Sequence, residues 1–127
     1  MGVTDPLSDM LTRIRNAKVA LHKEIVAPKS KMKLAVLQIL KEQGYVEDFE
    51  AGDFEIRVRL KYVQGQSAIS GLKSLSNPSC RKYVSCDGIP RVQNGLGISI
   101  LSTSKGVVDG QKAQELKAGG ELLCQIW

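Results

Sequence analysis

From Phe54 to Tyr62 the chain alternates without a break. Phe54, Ile56, Val58, Leu60 and Tyr62 are apolar or aromatic, and Glu55, Arg57, Arg59 and Lys61 between them are charged. Successive side chains on an extended strand point to opposite faces. A period of two therefore puts one apolar row against a core and one charged row in water, which predicts a half-buried strand.

The residues upstream supply the cover. Asp5-Pro6 is a helix start, because aspartate caps free amides and proline at the first helical position loses no hydrogen bond. Leu7, Met10, Leu11, Ile14 and Ala17 follow at helical spacing, with Arg13, Asn16 and Lys18 on the exposed side, predicting a helix to about Leu21. Glu24 to Ala27 reads as a short strand closed by Pro28. Ser30 is placed to cap a second helix, Lys31 to Gln43, with Leu34, Leu37, Ile39 and Leu40 as its apolar positions. Gly44 stands where a left-handed C-cap belongs. Tyr45 to Glu50 reads as a strand, and Ala51-Gly52-Asp53 as a hairpin turn into the alternating segment. The expected lobe, residues 1–64, is α-β-α-β-β.

Gln64-Gly65-Gln66-Ser67 is polar and aperiodic, and marks the join to a second lobe, residues 65–127. That lobe reads as mostly β with a short helix. Strands are expected at 68–76 and 81–86, with Asn77-Pro78 turning between them. A helical turn is expected at Ile89 to Val92. Asn94-Gly95 is a turn signal before a strand from Leu96 to Leu101. Val107-Val108 reads as a brief strand, Asp109 as the cap of a short helix to about Lys117, and Glu121 to Ile126 as the closing strand. The fold class is α+β in two small lobes.

The formal charge is +5, shared as +2 in residues 1–64 and +3 in residues 65–127. With no basic tail, any RNA site must be a folded patch. Aromatic content of 5% argues against a base-stacking platform built on several exposed rings. The cysteines are Cys80, Cys86 and Cys124, an odd number without a CxxC pair, and His22 is the sole histidine. This spacing suits neither zinc nor a disulfide framework, and predicts buried, reduced thiols in a cytosolic protein. No apolar run approaches membrane length and no apolar signal core opens the chain. Met1-Gly2 does not make a myristoylation site, because Pro6 stands where serine or threonine is needed.

The strand from Leu96 runs into Ser102, Thr103, Ser104, Lys105 and Gly106. Hydroxyls donate and accept hydrogen bonds without carrying charge, which suits the reading of a polar, shaped surface such as RNA. Ser102 and Lys105 also match Ser-x-x-Lys, a nucleophile motif of acyl-enzymes. Its partner motifs are absent and it follows a strand, so catalysis is rejected. Gly95-Leu96-Gly97 continues into a strand and is no dinucleotide fingerprint. Lys29, Lys31 and Lys33 flank a helix start, where amides and ammonium groups favour a phosphate; a solvated helix end is the plainer reading. Arg57, Arg59 and Lys61 read equally as an RNA face or as a solvated face balanced by Glu55. Arg81, Lys82 and Tyr83 open a strand. Tyr83 offers a ring and a hydroxyl, but its local pattern favours the core, and Trp127 reads as packing.

Several blocks resemble bacterial small-subunit ribosomal protein eight, the universal small-subunit protein eight family. They are Thr4 to Ala17, Ile89-Pro90-Arg91-Val92, Gly95 to Gly106 and Gly119 to Trp127. The resemblance spans nearly the whole chain. It implies a two-lobed, non-enzymatic α+β protein of the cytoplasmic ribosome, without a cofactor. It further implies primary binding to the central domain of 16S rRNA on the stem called helix 21, and organisation of the 30S platform. Neighbouring small-subunit proteins are implied partners. In some members the same surface represses an operon by binding its mRNA. By position, the implied RNA-reading residues are Ser102, Thr103, Ser104, Lys105 and Gly106, with Tyr83 and Glu121 nearby. Lys29, Lys31, Lys33, Arg81 and Lys82 are implied auxiliary contacts. Two departures stand out. Asp109-Gly110-Gln111-Lys112-Ala113-Gln114 lacks the arginines common in the family's helix, and Asn77-Pro78-Ser79 replaces a proline-glycine turn.

Overall fold

Residues 6–75, 81–90 and 97–127 are described by the computed structural model of the protein. They form two compact units, residues 6–70 and residues 71–127. The expected Asp5 cap, the Asn77-Pro78 and Asn94-Gly95 turns and Cys80 lie outside the described residues.

The first unit begins with α1 (Pro6–Val19). Its buried stripe is Leu7, Met10, Leu11, Ile14 and Ala17, the five positions picked out by their spacing. The helix stops two residues before the expected Leu21. Leu21 takes a left-handed backbone, φ 59°, and its amide and that of His22 turn back to the carbonyls of Lys18 and Ala17. β1 (Glu24–Pro28) follows. In α2 (Lys31–Glu42), Ser30 Oγ accepts from the Lys33 amide as the N-cap. Gly44 beyond its end has φ 80°, a conformation open to glycine at no steric cost. β2 (Val46–Ala51) and β3 (Glu55–Leu60) complete the unit's main sheet.

Its order is β1-β3-β2, all antiparallel. The alternating segment is the central strand, with Ile56, Val58 and Leu60 buried and Glu55, Arg57 and Arg59 exposed. Ile25 and Ala27 of β1 stand beside Val58 and Ile56, and the two helices cover that face. Each fully buried Leu or Ile here contributes about 1.5–3 kcal/mol relative to exposure. The alternation overreaches at both ends. Phe54 is 85% exposed in the hairpin turn, where Gly52 N–H donates to Glu55 O. Tyr62 is only half-buried, in β4 (Tyr62–Val63), which pairs with β5 (Gln66–Ser67). Gln64-Gly65, expected as part of an aperiodic join, forms the turn of that hairpin.

The second unit is built on a five-stranded antiparallel sheet. Its strands are β6 (Leu72–Ser74), β7 (Tyr83–Val84), β8 (Ile98–Thr103), β9 (Gly106–Asp109) and β10 (Gly120–Ile126). The path is β6-β10-β8-β9, with β7 also on β10. Both β6 and β7 are shorter than expected. The chain after β7 makes a 3-10 turn at Cys86–Gly88, and Ile89, expected to be helical, is extended. α3 (Gly110–Glu115) lies against β8 and β9, with Asp109 Oδ1 accepting from the Lys112 amide as predicted for its cap. Trp127 packs its indole on Gly71, and the two residues exchange backbone hydrogen bonds of 3.0 Å in each direction. No described helix is long and apolar enough to cross a membrane.

Candidate nucleic-acid interface

Three of the residues singled out from the sequence stand in one row across the second sheet. Tyr83 of β7 is in register with Glu121 of β10, and Glu121 with Ser102 of β8. Val107 of β9 continues the row beyond Ser102. Directly opposed residues of antiparallel strands project from the same face. A ring, a carboxylate and a hydroxyl are thus side by side, although 38 positions separate Tyr83 from Glu121 in the chain.

β8 reaches Thr103, so Ser102 and Thr103 belong to the strand and not to a loop beyond Leu101 as expected. Ser104 and Lys105 alone bridge Thr103 and Gly106, which are paired in register. The Thr103 hydroxyl donates to Gly106 O at 2.8 Å and accepts from the Lys105 amide at 3.0 Å. Thr103 therefore shapes the turn, while Ser104 and Lys105 are exposed at its tip. Gly106 has φ 112°, which only glycine adopts without strain.

Two glycines let the strands close up around this row. A Cβ on Gly120 would fall on the Ser102 carbonyl, and one on Gly119 would fall on the Val84 carbonyl and Ser85 backbone. Backbone cannot step aside as a flexible side chain can, so any larger residue here forces β7 or β8 away from β10. One residue further on, the β8–β10 register shifts between Leu122 and Cys124. This bulge lets Leu122, Leu123 and Cys124 all be buried in succession. The Cys124 thiol is pushed up to about 12 by burial, so it stays protonated and inert. Cys86 is half-buried, against the expectation of a buried thiol.

Tyr83 is 70% exposed, so its ring faces solvent and the core reading of this residue is overturned. Glu121 is the opposite, with its side chain 16% exposed and Oε2 held by Arg81 Nη1 at 3.0 Å. Arg81, expected as an auxiliary RNA contact, is thus engaged within the protein. Lys82 is exposed, and its carbonyl accepts from the Leu122 amide.

The lysines of the first unit separate. Lys29 and Lys31 are exposed at the start of α2. Lys33 is 2% exposed, and its Nζ donates to Pro28 O at 2.7 Å. Burial lowers its pKa. As the residue three past the cap it turns in toward the end of β1, a direction that a count of lysines does not reveal. Lys33 ties a helix to a strand rather than joining Lys29 and Lys31 at the surface. Ser102 and Lys105 do not share a helical turn, since Ser102 is paired within β8 and Lys105 sits on the tip. Among the described residues no group of three His, Cys, Asp or Glu side chains is placed to hold a metal ion.

The sequence signal for the row was the hydroxyl block itself. Gly119-Gly120, the bulge and the Arg81–Glu121 pair went unread as parts of the site. Consecutive glycines at the head of a strand were the available cue for the first.

The family model described as Ribosomal protein S8 matches residues 5–127. The small ribosomal subunit protein uS8 of Desulfovibrio desulfuricans is 60% identical over 125 residues, spanning 98% of this chain and 99% of that protein. The protein of the same description from Lawsonia intracellularis is 53% identical over 98% of this chain and 99% of its own length. That from Coxiella burnetii (strain RSA 331) is 48% identical over 96% and 97%.

Proposed function

The chain belongs to the ribosomal protein S8 family, and from that premise we propose that it is a structural constituent of the small ribosomal subunit in the cytoplasm, a primary binder of the 16S rRNA central domain that docks on helix 21 and helps to organise the 30S platform. Proteins of this family are not enzymes.

The observation that supports the reading is the Tyr83–Glu121–Ser102 row beside the Ser104-Lys105 tip. A-form RNA hides its major groove and presents a shallow minor groove of 2′-hydroxyls and base edges. Short hydroxyl side chains reach such a surface, and an irregular stem adds unstacked bases. Ser102 and Ser104 supply neutral donors and acceptors, Lys105 supplies charge, and the Tyr83 ring offers a stacking face. Lys29, Lys31 and Lys82 are exposed cations suited to secondary phosphate contacts. Neighbouring small-subunit proteins are the protein partners of this reading.

A filter-binding titration against the isolated helix 21 stem, beside a scrambled stem of equal length at fixed salt, tests it. A preference of about a hundredfold, or about 3 kcal/mol, is expected. Equal weak binding to both stems reduces the interaction to electrostatic adhesion and sinks the reading.

A further inference from the structure

We propose that Arg81 is a positioning residue of the RNA-reading row, acting through its ion pair with Glu121 rather than by touching phosphate. The inference rests on the reading above and deepens it.

Glu121 is the middle member of the row, with Tyr83 on one side and Ser102 on the other. A carboxylate in that place repels phosphate at short range unless a cation compensates it. The Arg81 guanidinium does so from within the protein, at 3.0 Å from Oε2. The planar fork of arginine suits carboxylates, and it is paired here before any RNA arrives. The Glu121 side chain is 16% exposed and that of Arg81 50%, so the acid is the more buried partner of the pair.

The same pair bears on Tyr83. β7 has only two residues, Tyr83 and Val84, and Arg81 stands two positions before the ring. Backbone pairing of Tyr83 with Glu121 and the Leu122 N–H donating to Lys82 O hold the segment to β10. The Arg81 side chain adds a tie from its leading end to Glu121. The ring is thereby fixed at a set distance from Ser102, which lowers the ordering cost of binding.

A phosphate contact and a positioning role differ in what they do to binding. Losing a phosphate contact weakens all RNA alike and lowers the salt slope by about one. Losing a positioning residue weakens the specific stem, leaves the slope, and matters only while the group it positions is present. The test is a double-variant cycle of Arg81→Met and Glu121→Gln, titrated on the helix 21 stem and on a scrambled stem at several salt concentrations. Arg81→Met is expected to lose about tenfold on the specific stem and little on the scrambled one. In the Glu121→Gln background it is expected to lose less than about twofold, as coupled neighbours do. Arg81→Lys is expected to restore only part of the loss. A slope lowered by about one with equal losses on both stems overturns the proposal, as do losses that multiply in the double variant.

A second measurement needs no RNA. In the free protein, Arg81→Met is expected to shift the NMR signals of the Glu121 carboxyl carbon and the Tyr83 ring. Unmoved signals overturn the proposal. A wild-type protein that fails to prefer the helix 21 stem sinks the functional reading, and the NMR signals then still decide whether Arg81 sets the row.

Discussion

On the outer face of the β1–β3–β2 sheet every arginine has an acid in register. Arg59 lies between Glu24 and Asp48, and Arg57 between Val26 and Glu50. At the Tyr83–Glu121–Ser102 row of the second sheet there is a single acid, and Arg81 holds it. Of the two surfaces, the first is the poorer candidate for RNA although it presents two arginines side by side on one strand. Its cations are balanced where they stand, so it has the character of a solvated face. The second offers few charges, but it offers hydroxyls, a ring and a lysine tip in fixed places. Counting lysine and arginine locates charge, whereas register decides whether that charge is available.

The comparison breaks most severely if the second surface loses its backbone geometry. Gly120→Val should cost about 3 kcal/mol of stability, at the upper end for overpacking, because the new side chain meets the Ser102 carbonyl. Urea unfolding reads the loss, and an unchanged midpoint would mean that β8 and β10 need no such close approach. Next in size is Ser102→Ala, which should weaken binding to the helix 21 stem by roughly 1–3 kcal/mol, the scale of a polar partner left unpaired. Tyr83→Leu should cost about 1 kcal/mol in the same titration, since it keeps apolar contact and loses ring stacking. On the first surface, Arg57→Ala together with Arg59→Ala should change specific binding by less than about 0.5 kcal/mol. A loss there as large as that of Ser102→Ala would reverse the roles assigned to the two sheets.

The smallest effect concerns the acids that balance the first face. The Lys41 ammonium, bonded to Asp48 at 3.1 Å, holds the Asp48 carboxyl below its usual range, helped by the Phe49 amide. A carboxylate whose folded pKa is depressed stabilises the fold above its unfolded value of about 3.9. That contribution disappears as pH falls through the lower folded value. Lys41→Met should therefore be slightly less stable than wild type at pH about 6, with the difference closing as pH falls through the lowered Asp48 value. A gap in urea midpoint that persists in acid would show that Lys41 acts by packing and not through Asp48.

Much of the fold was legible because its signals are local. The stripe from Leu7 to Ala17, the Ser30 and Asp109 caps and the Ile56-Val58-Leu60 alternation each need only a few neighbouring residues. Phe54 misled because alternation does not announce where a strand gives way to a turn. Lys33 misled because a lysine sequence carries no direction, and the Pro28 carbonyl lies across the end of another element. At the candidate site, the hydroxyl block was visible and the resemblance drew in Tyr83 and Glu121. Their alignment was not visible, because it depends on how β7, β8 and β10 are registered across long stretches of chain. The Arg81–Glu121 pair, 40 positions apart, was hidden for the same reason.

The bulge at Leu122–Cys124 marks the one place in the strand that can lose a residue without losing its pairing with β8. Past Leu123, every residue of β10 faces the side it does because one extra residue was admitted there. A deletion of Leu123 would therefore leave Glu121 opposite Ser102, Leu122 opposite Leu101 and Cys124 opposite Ile100 in an unbroken ladder, at the loss of one buried side chain. In a deletion scan of this strand, loss of Leu123 should spare the pairing with β8 on both sides and cost only the packing of one buried leucine.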